Sequence, residues 1–181
     1  MSCNEKKEEV EVKTPPKKEV VKIEEMKPAI ADVDTTFKSQ ITAIYDAYNT
    51  LKDALVASDD VAAALAVKEV LAALDKGDMG LLKKPESHKV WMSQKPILKQ
   101  NLNKMIGDTS LEEQRLAFLE VSNSMIILVE NFGTSHKLMV QFCPMAADFK
   151  GGYWLSADAA IRNPYFGSKM MTCGSTKRIL N

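Results

Sequence analysis

Residues 110–133 read SLEEQRLAFLEVSNSMIILVENFG, and residues 134–143 read TSHKLMVQFC. The change of period between them decides the fold class. In the first stretch Leu111, Phe118, Val121, Met125, Leu128 and Phe132 recur at the three- and four-residue steps of one helix face. Ser110-x-x-Glu113 is a capping box, which satisfies two otherwise free N–H groups at the helix start, and Gly133 supplies a stop. In the second stretch Leu138, Val140 and Phe142 alternate with Met139, Gln141 and Cys143, as the two faces of a strand do. The chain reads as helical up to Gly133 and β-rich after it.

The same helical period runs backwards from Ser110. Phe37, Ile41, Ile44, Tyr45, Tyr48, Leu51 and Leu55 mark a first helix, capped by Asp34 or Thr35. Ser58-Asp59-Asp60 breaks it and caps an Ala-rich helix from Val61 to Leu74. On that helix Val61, Leu65 and Leu71 share one side, and Gly77 and Gly80 end the segment. A third helix covers Ser87 to Ile106 through Trp91, Leu98, Leu102, Met105 and Ile106. Pro96 inside it predicts a kink or split, and Gly107 terminates it. Four amphipathic helices with short joints predict an antiparallel four-helix bundle over residues 34–133.

Beyond the bundle, Gly151-Gly152 precedes a strand at Tyr153–Leu155, Asn163-Pro164 and Gly167 mark turns, and Lys177–Leu180 is a last short strand. The expected fold is mainly α (α+β): one globular domain, 34–181, with a small β-rich cap at 134–181.

Residues 1–33 differ in kind. Between positions 4 and 32, 15 of 29 side chains are charged and three are prolines. Such a segment buries too little apolar surface to offset its ordering entropy, and it reads as a disordered charged tether. Met1-Ser2-Cys3-Asn4 resembles the surroundings of a bacterial lipoprotein cleavage site, with Cys3 as the lipidated residue; the competing reading is an isolated cysteine near a terminus. No apolar run reaches the roughly 18–20 residues that span a bilayer, so the expected contact with membrane is through that anchor alone. Lys plus Arg and Asp plus Glu both number 24, giving a net charge of zero. A nucleic-acid binder needs a basic excess that this chain lacks.

The chemistry is concentrated in sulfur. Cys143-Pro144-Met145-Ala146 and Met170-Met171-Thr172-Cys173-Gly174 lie thirty residues apart. Thiolates with thioethers suit Cu(I) better than harder divalent ions. Met170 and Cys173 fall on one side of a tight turn, so two sulfurs from each segment can make a four-ligand site. An internal disulfide between Cys143 and Cys173 is an equal reading on spacing alone. In the chain-entropy model a loop of this size stabilises by about 3–4 kcal/mol. Methionine as core filler is the third reading. Structural zinc lacks the CxxC pair it commonly uses. With only His88 and His136 as imidazoles, and no nucleophile–base arrangement, phosphate loop or zincin motif, the sequence does not read as an enzyme.

Cys143-Pro-Met-Ala146, Tyr153-Trp-Leu-Ser156, Ile161-Arg-Asn-Pro-Tyr-Phe-Gly167, Met170 and Cys173-Gly174 together resemble a family of bacterial envelope domains, the domain of unknown function 3347. Ile44-Tyr-Asp-Ala-Tyr48 and Leu51-Lys-Asp-Ala-Leu55 resemble its opening helix. The resemblance covers about residues 35–180. It implies secreted or lipid-anchored proteins of the periplasm-facing cell envelope, also found fused to adaptor subunits of CusB-like heavy-metal efflux pumps. For this chain it implies copper or silver handling, with Cu(I) on Cys143, Met145, Met170 and Cys173, and a CusB-like adaptor or another envelope copper protein as partner. His136 and Met139 are second-choice ligands outside the shared motif. Trp154 either packs the cap on the bundle or covers the metal with its ring face. The expected function is copper chaperoning, buffering or delivery to an efflux system; the alternative is a disulfide-stabilised interaction module without metal.

Overall fold

A computed structural model describes residues 23–181. The predicted tether residues 4–22 and Cys3 lie outside the described residues. Four long helices come first after a short strand: β1 (Glu24–Met26), α1 (Thr35–Ala57), α2 (Asp60–Asp75), α3 (Pro85–Asn103) and α4 (Leu111–Phe132). Then come β2 (Leu138–Cys143), β3 (Gly152–Ser156) and β4 (Ser175–Leu180), with a left-handed turn within Ala146–Phe149 and a one-turn helical segment at Gly167–Lys169. The protein is mainly helical, with a small four-stranded sheet that includes its C-terminal end.

Local chemistry sets the helix ends. The Asp34 carboxylate accepts the Thr36 and Phe37 N–H groups at the start of α1, and Ser58 closes that helix in a left-handed conformation. Asp59 caps α2. Ser110 and Glu113 bond reciprocally across the first turn of α4. Pro96 neither splits α3 nor is buried in it. The carbonyl it leaves without an intrahelical donor belongs to Met92, an exposed residue, so water can satisfy it.

The α2 face differs from the predicted one. Val61 and Leu65 are 67% and 57% exposed, whereas Ala63, Ala66, Val67, Val70 and Leu74 are buried. The buried face combines Ala63 and Ala66 with Val67, Val70 and Leu74, and it packs mainly on α1. Phe37 stands edge-on to both Trp91 and Phe132, tying α1 to α3 and α4.

The sheet order is β1-β4-β2-β3, with β2 antiparallel to β3 and β4, and β1 parallel to β4. β1 corrects the expectation that residues 24–32 belong to a disordered tether. Glu24–Met26 pairs with Arg178–Leu180, and the Ala29 and Ile30 N–H groups donate to the Glu130 and Asn131 carbonyls. Ile30 is buried. Three ladder pairs, one apolar anchor and the Lys137–Glu25 ion pair hold this segment despite its charge.

The opposite edge, β3, is closed by two tyrosines. The Leu155 N–H donates to the Tyr48 hydroxyl at 3.2 Å, and the Tyr165 hydroxyl donates to the Tyr153 carbonyl. Burial holds both phenols well above their ordinary pKa, so both remain protonated. Two of the edge groups that could recruit another strand are thereby occupied.

Candidate metal centre

β2 delivers Cys143 to its end, opposite Gly152 of β3. A Cβ at Gly152 would stand 2.7 Å from both Leu119 Cδ2 and the Tyr165 ring, so only glycine lets β3 approach α4 this closely. After Cys143 the chain makes a rare turn. Ala147, Asp148 and Phe149 have φ of 51°, 52° and 66°, three successive left-handed residues without a glycine among them. Left-handed backbone costs such residues roughly 1–2 kcal/mol each. Ala146, fully buried, anchors the turn, and its carbonyl accepts the Gly151 N–H at 2.9 Å.

The second sulfur segment is held by Asn163, which is itself fully buried. Its Nδ2 donates to the Cys173 carbonyl at 2.9 Å, and its Oδ1 accepts the Tyr165 N–H at 2.9 Å. Its backbone N–H donates to the Met171 carbonyl, and its carbonyl accepts from Gly167. The Cys173 N–H closes back on the Met170 carbonyl at 3.0 Å, a tight turn that groups these two sulfur residues. Arg115 fixes the base of the same region, donating to the carbonyls of Pro164 and Leu55 and to the Ser58 hydroxyl.

These restraints bring the Cys143 and Cys173 sulfurs to 3.2 Å, both as free thiols. Cys143 is fully buried and Cys173 half-buried. The hydrogen bond with Cys143, burial, and the charge of that neighbour all push the Cys173 thiol above its ordinary pKa. Met145 and Met170 both line a cleft of about 430 Å³, walled by Leu116, Leu119, Tyr165 and Phe166. Glu112, Arg115, Asp148 and Lys169 also line it.

The remaining predicted residues are placed elsewhere. His136 Nε2 meets Asp46 Oδ1 at 2.9 Å, and its ring leans on Tyr45 of α1. Met139 sits four residues before Cys143, about 13 Å along an extended strand, between Ser156 and Ile179. Trp154 is buried edge-on to Tyr165, and a Cβ at Gly174 would touch its ring at 2.9 Å, so it packs against the Cys173 loop. Arg162 is exposed, and Asp158 accepts the Ala160 N–H instead of pairing with it. His88 is also exposed.

Among the described residues no group of three or more His, Cys, Asp or Glu side chains could hold a metal ion. The available donors are soft. Two metal–thiolate bonds of roughly 2.3 Å let one ion bridge sulfurs up to about 4.6 Å apart. The thiol pair at 3.2 Å lies within that span, and thiols are soft donors. Met145 and Met170 line a cleft that neither cysteine lines, so the contact seen is between two of the four predicted sulfurs.

Sequence reasoning missed Arg115, the left-handed turn and the two edge-closing tyrosines. Gly151-Gly152 was the available sign of unusual backbone. Asn163 before a proline signalled a turn, but not that its side chain reaches Cys173.

Residues 44–137 match the family described as "Protein of unknown function (DUF3347)". The chain belongs to that family. The match runs from α1 through α4 to Lys137, so both sulfur segments lie outside the matched stretch. Searches of curated proteins and of solved structures give no match. No described helix is long and apolar enough to cross a membrane.

Proposed function

We propose that this protein binds copper or silver in the bacterial cell envelope. In this reading Cu(I) is cargo, taken by the Cys143 and Cys173 thiolates with the Met145 and Met170 thioethers. The observation that carries the reading is the 3.2 Å approach of two free thiols from segments thirty residues apart. The two methionines, each within three residues of a thiol in the chain, face one cleft of mixed apolar and charged walls that neither cysteine lines, and this reading assigns their thioethers to the same ion. Soft sulfur donors favour Cu(I) over harder ions.

The protein's own groups have defined tasks in this scheme. Asn163 positions the Cys173 turn, and the β2–β3 ladder positions Cys143. The two thiols lose their protons as the ion binds, and ligand exchange onto the sulfur or imidazole of a partner releases it. The partner we propose is a CusB-like efflux adaptor or another envelope copper protein, with lipid on Cys3 keeping the domain beside the membrane. The four long helices, read as an antiparallel bundle, serve as scaffold for the sheet and its sulfur loops. The role is chaperoning, buffering or delivery, not catalysis.

Anaerobic titration tests this. The reduced protein should take up one Cu(I) in competition with a cuprous chelator. Removing both Cys143 and Cys173 should abolish uptake. A reduced, folded protein that takes no Cu(I) would refute the reading. The alternative, a disulfide-stabilised interaction module without metal, is favoured by the same sulfur contact and would then stand ahead.

A further inference from the structure

We propose that Cys173 and Cys143 form a dithiol that exchanges with small disulfides, Cys173 attacking first and Cys143 resolving. This does not depend on metal binding. A reagent arriving from solvent meets the half-buried Cys173, whereas the Cys143 side chain has no exposed surface. Access sets the order, because thiol exchange requires access to the attacking sulfur. The neighbouring Cys143 thiol keeps Cys173 largely protonated, so the exchange is slow.

The second step is already arranged. The sulfurs stand 3.2 Å apart, and a disulfide needs about 2.05 Å. Side-chain rotation can supply a closure of that size. The backbone on each side is held independently. Cys143 ends a strand paired on both sides, to β3 and to β4, and Asn163 clamps the Cys173 carbonyl.

The chemistry balances as two exchanges. The Cys173 thiolate attacks one sulfur of R–S–S–R, forming Cys173–S–S–R and expelling R–S⁻. The Cys143 thiolate then attacks the Cys173 sulfur. The Cys143–Cys173 bond forms, and the second R–S⁻ leaves. The protons of the two protein thiols end on the two released thiols. The protein dithiol is oxidised and the small disulfide is reduced. Where the proposed cargo site operates, this reaction withdraws both of its thiolates.

The test uses the full chain carrying Cys3→Ser, so that the third thiol does not compete, with glutathione disulfide as the probe. Samples are acid-quenched over time and mapped by mass spectrometry. Early samples should carry glutathione on Cys173 and not on Cys143. Late samples should carry an internal Cys143–Cys173 bridge that dithiothreitol reverses. Adding Cys143→Ser should stop the reaction at glutathionylated Cys173. Adding Cys173→Ser should slow modification of Cys143 by roughly tenfold or more. Glutathione appearing first on Cys143, equal rates at the two sites, or no internal bridge in protein that circular dichroism shows folded would overturn the proposal. If either serine variant fails to fold, the early quench of the parent protein decides alone.

Discussion

Replacing Asn163 with alanine tests whether a single buried side chain sets the geometry of the thiol pair. The side chain is fully buried and makes two bonds of 2.9 Å, one to the Cys173 carbonyl and one from the Tyr165 N–H. Alanine leaves both groups without these partners. An unsatisfied buried N–H costs roughly 1–3 kcal/mol, and losing the part-buried bond to the Cys173 carbonyl costs roughly 0.5–1.5 kcal/mol. The expected loss is about 2–4 kcal/mol, which at about 2–4 °C per kcal/mol lowers Tm by roughly 5–15 °C. Urea unfolding of the reduced protein measures the first figure. The second readout is functional: with the Cys173 turn released, Cu(I) affinity should fall and the Cys143–Cys173 bridge should form more slowly. Asn163→Asp separates the two bonds. It keeps the acceptor for Tyr165 but sets an oxygen against the Cys173 carbonyl, so it should disturb the thiol pair more than the Tyr165 turn. A loss in Asn163→Ala below about 0.5 kcal/mol, within the range of ordinary surface substitutions, together with wild-type bridging, would refute the reasoning.

Gly152→Ala places a methyl group against Leu119 and the Tyr165 ring, and overpacking of this kind should cost about 1–3 kcal/mol in urea unfolding. Tyr48→Phe removes the hydroxyl shared by Ser122 and the Leu155 N–H, with an expected loss of about 1–3 kcal/mol and weaker protection of the Leu155 amide in hydrogen exchange. Met145→Leu and Met170→Leu conserve volume and apolarity while deleting a thioether. The folded state should survive, and Cu(I) affinity should drop in a chelator competition; affinity equal to wild type in both would make these methionines packing residues. In acid, Glu25, Asp75 and Glu113 are held below the usual carboxylate range, chiefly by bonds from Lys137, Lys99 and the Ser110 hydroxyl respectively. Each has a folded pKa below its unfolded one, so its contribution is full above the unfolded value and is lost as pH falls through the folded value. Stability should therefore decline below about pH 4.5, and Ser110→Ala should flatten the Glu113 share of that decline in a pH series of urea midpoints.

The sequence by itself determined the elements whose causes are local. Asp34, Asp59, Ser110 with Glu113, and Gly133 mark helix ends because capping is settled within four residues of chain. The alternation Leu138–Cys143 marks a strand because side-chain direction has a period of two. The soft character of Cys143, Met145, Met170 and Cys173 is likewise plain from residue type. Tertiary structure decided everything that needs a distant partner. Val61 and Leu65 face outward because α1 accepts the side of α2 that carries Ala63, Ala66, Val67, Val70 and Leu74, which periodicity alone does not rank. Glu24–Met26 is a strand because the free edge of β4 pairs with it, although its composition reads as tether. The left-handed turn at Ala147–Phe149 is imposed on residues with no preference for it, by the buried Ala146 and the ladder on either side. The contact between the Cys143 and Cys173 sulfurs depends on the pairing of β2 with β3 and β4 and on Asn163 bonding ten residues ahead. Proximity across thirty residues is a property of how strands pair, and pairing is fixed by which faces the helices leave to be buried.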